Sequence, residues 1–208
     1  MTVTIQDAIL GGRLRSGDRV TEAFLTRATH ASRSQVREAL KTLAFDGLVD
    51  LEAGPGAVVP EPTIEDIEET YAARRALGAI LIQRTVSWRP DTITPVRAAL
   101  NDLRAAARTG DSWTTGEADL SFQDAVADSV TMRRIPGMFK RLTVQVRMFV
   151  AVMGLDYAYS IDAMIEDDTA LLAAIARRDT AHALSLWDTK MTAAVRYMTR
   201  QLESRSVR

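Results

Sequence analysis

Two prolines flank Glu61 in Pro60-Glu61-Pro62, and this short break constrains the fold more than any other feature. Proline fixes φ and has no N–H to donate, so neither a helix nor a central strand runs through such a tripeptide. Ahead of the break the pattern is strand-like; behind it apolar residues recur at helical spacing. The break predicts two domains, residues 1–62 and 63–208, and 208 residues suffice for two small domains.

The first segment reads helix, helix, helix, hairpin. A helix near Thr4–Leu10 stops at Gly11-Gly12, and Arg15-Ser16-Gly17-Asp18 has turn chemistry. Thr21 caps a second helix that runs to about Thr29. Ser32-Arg33-Ser34-Gln35 is a capping box, in which the Ser32 hydroxyl takes the free N–H of Gln35 and the Gln35 side chain reaches back. Val36, Ala39, Leu40 and Leu43 then mark one face of a third helix that Gly47 ends. Leu48–Glu52 alternates as a strand, Gly54-Pro55-Gly56 turns, and Ala57-Val58-Val59 returns. Such a unit is a winged helix-turn-helix if its third helix enters the major groove of DNA.

The second segment reads as six helices. They span about Thr63–Ser87, Thr94–Gly110 with a Thr-Pro start, Thr115–Val130, Pro136–Met153, a stretch capped by Ser160 up to Arg178, and a long last helix capped by Asp179. Short connections make an antiparallel bundle the natural packing. The expected class is mainly α: a winged helix-turn-helix followed by an all-α six-helix bundle.

Composition narrows the chemistry. With no cysteine, disulfides, thiolate metal sites and cysteine nucleophiles are excluded, and two histidines exclude a three-histidine site within one chain. The 47% hydrophobic and 25% charged content is that of a globular chain. No apolar run is long enough for a membrane span and no signal peptide is visible, so a cytoplasmic protein without a membrane partner is expected. The 26 basic and 27 acidic residues nearly cancel, so any basic surface for nucleic acid must be local.

That local surface lies on the third helix. Opposite its apolar stripe, Arg33, Arg37 and Lys41 follow at i, i+4 and i+8. Ser32 and Ser34 sit at the helix N-terminus, where hydroxyls, free N–H groups and the dipole favour phosphate. Arginines there can reach guanine edges bidentately. Read separately, the three cations are also compatible with an ordinary solvated face.

In the second segment the helical pattern puts charge on apolar faces. Asp168 is flanked by Met164, Ile165, Leu171 and Leu172, and Lys190 by Leu186, Trp187, Met191 and Ala194. A charge facing a core demands a partner. Asp119 and Gln123 are one turn apart and share a face. The alternative is that these side chains snorkel to solvent. Arg74 and Arg147 are further candidates, able to clamp a carboxylate bidentately, or else surface arginines.

Gly12 through Glu22, then Ser32-Arg33-Ser34-Gln35-Val36-Arg37-Glu38-Ala39-Leu40, and on through Asp46-Gly47-Leu48-Val49 and Gly56-Ala57-Val58-Val59, resemble the GntR family of bacterial transcription regulators. The resemblance implies DNA contacts from Arg33, Ser34 and Arg37, with the wing tip at Gly54–Gly56 against the minor groove or backbone. Gln35 departs from the proline or threonine common there. Tyr71-Ala72-Ala73-Arg74, Asp119-Leu120-Ser121-Phe122-Gln123 and Leu171 through Asp179 resemble the FadR-type (FCD) effector domain, and the length suggests its VanR-like subgroup. Many such domains hold a divalent metal with one aspartate and three histidines. By resemblance Asp119 stands at the aspartate position, and Gln123, Asp168 and Lys190 stand where the histidines would be.

The resulting expectation is a homodimeric repressor-type regulator that binds a near-palindromic double-stranded operator. Its effector, a small organic acid by arginine chemistry and family analogy, would meet Arg74, Asp119, Gln123, Arg147, Asp168 and Lys190. DNA contacts would come from Ser32, Arg33, Ser34, Gln35, Arg37, Lys41, Gly54 and Gly56. Lys190 would supply the charge that a metal supplies elsewhere, so no metal or other cofactor is expected. The rival readings are a bundle that only dimerises, a winged helix used for protein contacts, and an enzyme in which Asp119 and Asp168 act as acid and base.

Overall fold

The computed structural model describes residues 2–11, 13–51, 56–86, 93–155 and 160–206. Gly12, Glu52, Gly54, Pro55 and Ser87, named above, lie outside them. The chain forms two compact units: residues 1–63 with 144–155, and residues 64–143 with 156–208.

In the first unit, helix α1 spans Thr2–Leu10, α2 Glu22–Thr29 and α3 Arg33–Phe45. Thr21 caps α2, accepting from the Phe24 N–H at 3.2 Å. The capping box of α3 is complete: the Gln35 N–H donates to Ser32 Oγ at 3.3 Å, and the Ser32 N–H donates to Gln35 Oε1 at 2.9 Å. Val36, Leu40 and Leu43 turn their apolar face inward, helix α1 packs on α3, and Ile5, Ile9 and Leu48 are buried with them. Each such side chain contributes about 1.5–3 kcal/mol on leaving water.

The wing departs from the simple hairpin expected from sequence. Strand β2, Ala57–Val58, pairs antiparallel with β1, Arg19–Val20, in the register Arg19↔Val58 and Val20↔Ala57. The Leu48–Glu52 stretch contributes a single bridge, in which Asp50 and Val58 exchange N–H···O bonds of 2.7 and 2.8 Å. The chain between α1 and α2 thus takes one edge of β2. Gly56 permits this at φ +92°, because a Cβ there would lie 2.8 Å from the Val20 carbonyl oxygen.

The C-terminal half of helix α7 (Ile135–Met153) also belongs to this unit. Gln145 Nε2 donates to the Asp46 carbonyl oxygen at 3.1 Å, just beyond the last turn of α3.

The second unit contains α4 (Ile64–Val86), α5 (Thr94–Ala107), α6 (Ser112–Asp128), the first half of α7, α8 (Ile161–Ala176) and α9 (Thr180–Ser206). Ser160 caps α8 and the Asp179 carboxylate accepts from the His182 N–H in α9. Two starts shift from expectation. Helix α6 begins three residues before Thr115, because Asp111 caps it through the Thr114 N–H at 2.9 Å. Helix α5 has Ile93 as its N-cap, with Thr94 and Pro95 already inside the first turn. Helices α4 and α9 pack closely where Gly78 leaves room for the Trp187 ring, whose Nε1 donates to the Arg75 carbonyl oxygen at 3.1 Å. Among the described residues, no helix is long and apolar enough to cross a membrane.

Candidate nucleic-acid interface and internal ion cluster

Ser32, Arg33, Ser34, Gln35, Arg37 and Lys41 are all exposed along α3, while its opposite face is buried. The capping box fixes where that helix starts, and so fixes which side chains share its outer face. It also occupies Gln35, whose Oε1 accepts from both the N–H and the Oγ of Ser32. Two of the three ridge cations have acidic partners. Arg37 Nε and Nη2 donate to Glu22 Oε1 and Oε2 at 3.1 and 3.2 Å. Lys41 Nζ donates to Glu38 Oε1 at 2.9 Å. Arg33 has no ion pair among the described residues, and its charge reaches Glu22 through space. The hydrogen bond from Arg37, above all, holds the Glu22 carboxyl below the usual carboxylate range. The Arg37 partner was missed in the sequence because Glu22 lies on a different helix. The Glu at the first turn of α2 was its only sequence trace.

Inside the second unit the structure brings five of the six expected effector residues together. Lys190 Nζ donates to Asp119 Oδ1 at 2.6 Å and lies 2.7 Å from Asp168 Oδ1. Gln123 Nε2 donates to Asp119 Oδ2 at 2.8 Å, and Gln123 Oε1 accepts from Arg74 Nη2 at 2.6 Å. Arg74 Nη1 donates to Thr143 Oγ1 at 2.5 Å, and its Cζ sits 4.6 Å from the Phe139 ring centroid. Arg74, Asp119, Gln123, Asp168 and Lys190 are all buried. Arg147 is not part of this group. It is half-buried in the 144–155 segment that belongs to the first unit.

The cluster balances its own charge. Arg74 and Lys190 are the buried cations among the described residues, and Asp119 and Asp168 the buried carboxylates. Burial opposes the Lys190 charge, yet the two carboxylates outweigh it and hold the ammonium above the ordinary lysine range. Asp168 behaves differently. Burial pushes its carboxyl well above the usual range; Lys190 offsets part of that and the neighbouring Asp119 charge adds to it. The Lys190–Asp168 approach is close in distance, but Asp168 Oδ1 receives no aligned hydrogen bond, so Asp119 is the better-served partner. Burial also pushes the Tyr71 phenol up to about 12.

Beside the cluster lies a small pocket with a cavity volume of about 30 Å³. Tyr71, Asp119, Gln123 and Lys190 form its polar wall. Met164, Met191 and Met198 contribute polarizable apolar surface.

The donor set does not fit a divalent metal. It offers no imidazole or thiolate, and an ammonium already sits between the two carboxylates. A divalent ion about 4 Å from that ammonium would be repelled by roughly 8 kcal/mol at an effective dielectric constant of 20. Among the described residues, no group of three His, Cys, Asp or Glu could hold a metal.

Comparison with known proteins agrees with this architecture. Residues 3–59 match the family of bacterial regulatory proteins, gntR family, and residues 69–193 match the FCD domain. A gluconate operon transcriptional repressor from Bacillus subtilis is 31% identical over 61% of this chain and 50% of its own length. The homologous repressor from Bacillus licheniformis is 27% identical over 68% of this chain and 58% of its own. The chain thus matches little more than half the length of these curated relatives. A GntR transcriptional regulator from Rhodococcus sp. RHA1 superposes with a TM-score of 0.81 at 28% identity, covering 95% of this chain and 94% of that one. McbR/YncC of E. coli shares the fold, with a TM-score of 0.79 at 20% identity over 97% of this chain and 96% of that one. The chain belongs to the GntR family of bacterial transcriptional regulators and carries an FCD domain behind its DNA-binding head.

Proposed function

We propose that the protein is a homodimeric cytoplasmic repressor whose two α3 helices read the half-sites of a near-palindromic operator, and whose grip on that operator is set by a small molecule in the FCD pocket. The observation that carries the DNA half is the capped α3 helix, with Arg33, Arg37 and Lys41 on its exposed face and β2 beside it. Ser32, Ser34 and Gln35 at the N-terminus meet phosphate, and the wing from Gly54 to Gly56 lies against the backbone or minor groove. Two-fold pairing doubles the readout, which a single small head needs for selectivity. Six helices in the second unit support the VanR-like form of the domain.

The effector is a small organic acid, and the charge balance specifies how it enters. Lys190 is already held by two carboxylates, so an incoming carboxylate must replace one of them. Asp168 is the one that yields, because the aligned Lys190 hydrogen bond goes to Asp119 and burial raises the Asp168 carboxyl. Relatives named as gluconate operon repressors make sugar acids the first ligands to test.

The test begins with a duplex selected by the protein from a randomised pool. Arg37→Ala weakens binding to that duplex about tenfold or more, the scale of a lost bidentate guanine contact. Wild-type binding falls steeply as salt rises, because phosphate contacts release counterions. A flat salt response, or unchanged affinity of the variant, rejects the reading. Sedimentation showing only monomer at micromolar concentration, with and without DNA, rejects the dimer. The closed Arg74–Gln123–Asp119–Lys190 chain favours a second reading, a bundle that dimerises and senses nothing. That reading prevails if no acid in the panel raises Tm or alters DNA affinity.

A further inference from the structure

Arg37 enters the DNA question already held. Its Nε and Nη2 meet both oxygens of Glu22, so one edge of the guanidinium is locked to the first turn of α2. The pair is solvent-facing, with the arginine side chain 60% and the glutamate 34% exposed. An exposed ion pair adds little to folding stability, so stability alone does not explain a two-point clamp across two helices. Its effect on geometry is larger. Two hydrogen bonds bias a long side chain with four rotatable bonds toward one orientation before any DNA arrives.

A guanidinium has five N–H donors in a planar fork. Glu22 takes the Nε–H and one Nη2–H, which form the side-on edge. Both N–H groups of Nη1 and the second of Nη2 remain, and one from each nitrogen forms the end-on edge. That remaining edge has the spacing for guanine O6 and N7. Arg33, one turn earlier on α3, also acts on the Glu22 carboxylate through space. The glutamate charge is therefore matched by two arginines and does not leave the face acidic.

We infer that Glu22 is a specificity-determining positioning residue: it holds Arg37 by the side-on edge and presents the end-on edge to a guanine of the operator. The inference rests on α3 being the reading helix. It gives Glu22 a task opposite to that of an acid that merely repels phosphate or competes with DNA for the arginine. A positioned fork loses less side-chain freedom on binding, and the gain appears only where a guanine stands to receive it.

The experiment uses the full-length protein, the duplex selected from a randomised pool, a copy with the contacted G·C pair changed to A·T, and a random-sequence duplex. Glu22→Ala and Glu22→Gln are compared with Arg37→Ala and the Glu22→Ala/Arg37→Ala double variant in gel-shift titrations. Removing the clamp is expected to lower the preference for the selected over the altered duplex by about five- to tenfold. Affinity for random DNA stays equal or rises, because an acid near phosphate is gone. That retained affinity also shows the variants are folded. In the Arg37→Ala background Glu22→Ala changes discrimination no further. If Glu22→Ala binds the selected duplex as tightly as wild type or tighter with undiminished preference, the positioning role is overturned and Glu22 is a competitor. If binding to all three duplexes falls together, Glu22 serves the fold alone and the inference is likewise overturned. If Arg37→Ala itself leaves the selected duplex unaffected, it is the assignment of the reading helix that fails.

Discussion

Lys190 Nζ stands 2.6 Å from Asp119 Oδ1, with both side chains more than nine-tenths buried, and the same ammonium lies 2.7 Å from Asp168. One cation thus holds together carboxylates from α6 and α8 while itself rising from α9. The arrangement explains how a helical core tolerates two aspartates, and it carries the following consequences.

Lys190→Ala leaves both carboxylates in the core without their cation. Breaking a buried pair from one side costs about 3–5 kcal/mol. Urea denaturation at pH 7 should show a loss of that size, and a smaller loss at pH 5, where the stranded carboxyls take up protons. A loss below about 1 kcal/mol at pH 7 would mean that the ammonium lies elsewhere.

Asp168→Asn should be mild at low pH and should become relatively stabilising as pH rises. The sign follows from the upward shift of the Asp168 carboxyl, caused first by burial. A carboxyl raised in the folded state favours folding below its unfolded value and loses that contribution as pH climbs through the folded value. Asparagine keeps the shape and has no proton to lose. Thermal melts at pH 5 and pH 8 should therefore show the difference, variant minus wild type, increasing with pH. A difference that falls over the same range contradicts the shift.

Metal chemistry offers a third check. With the ammonium between the two carboxylates, chelator should leave Tm unchanged, and elemental analysis of the purified protein should find no stoichiometric transition metal. About one zinc, nickel or manganese per chain in the unmutated protein would show that Lys190 is misplaced.

Gly78→Ala tests the packing behind the cluster. A Cβ at this position would lie 2.2 Å from the Trp187 ring, closer than atoms approach without displacement. Overpacking of this kind costs about 1–3 kcal/mol, and here it should also disturb the Trp187 hydrogen bond to the Arg75 carbonyl. Differential scanning calorimetry together with tryptophan fluorescence reads both effects. An unchanged Tm would show that α4 and α9 have more room to separate.

The sequence by itself determined the features whose cause spans a single helical turn. Ser32 and Gln35 are three residues apart, and their reciprocal bonds need only local backbone geometry. The caps at Thr21, Ser160 and Asp179, and the Asp119–Gln123 contact at i, i+4, are legible for the same reason. Burial of Asp168 and Lys190 followed from their apolar flanks, because helical period assigns a side chain to a face. Tertiary structure decided which faces meet. Lys190 reaches Asp119 across 71 residues and Arg37 reaches Glu22 across 15. No periodicity encodes those separations. Strand β2 pairs with Arg19–Val20 and keeps only the Asp50 bridge to the nearer stretch after α3, and Arg147 falls in the first unit although its carboxylate-clamping chemistry made it a cavity candidate. Such choices rest on how whole buried faces pack, and the alternatives differ by sums over many weak contacts that no short window of sequence contains.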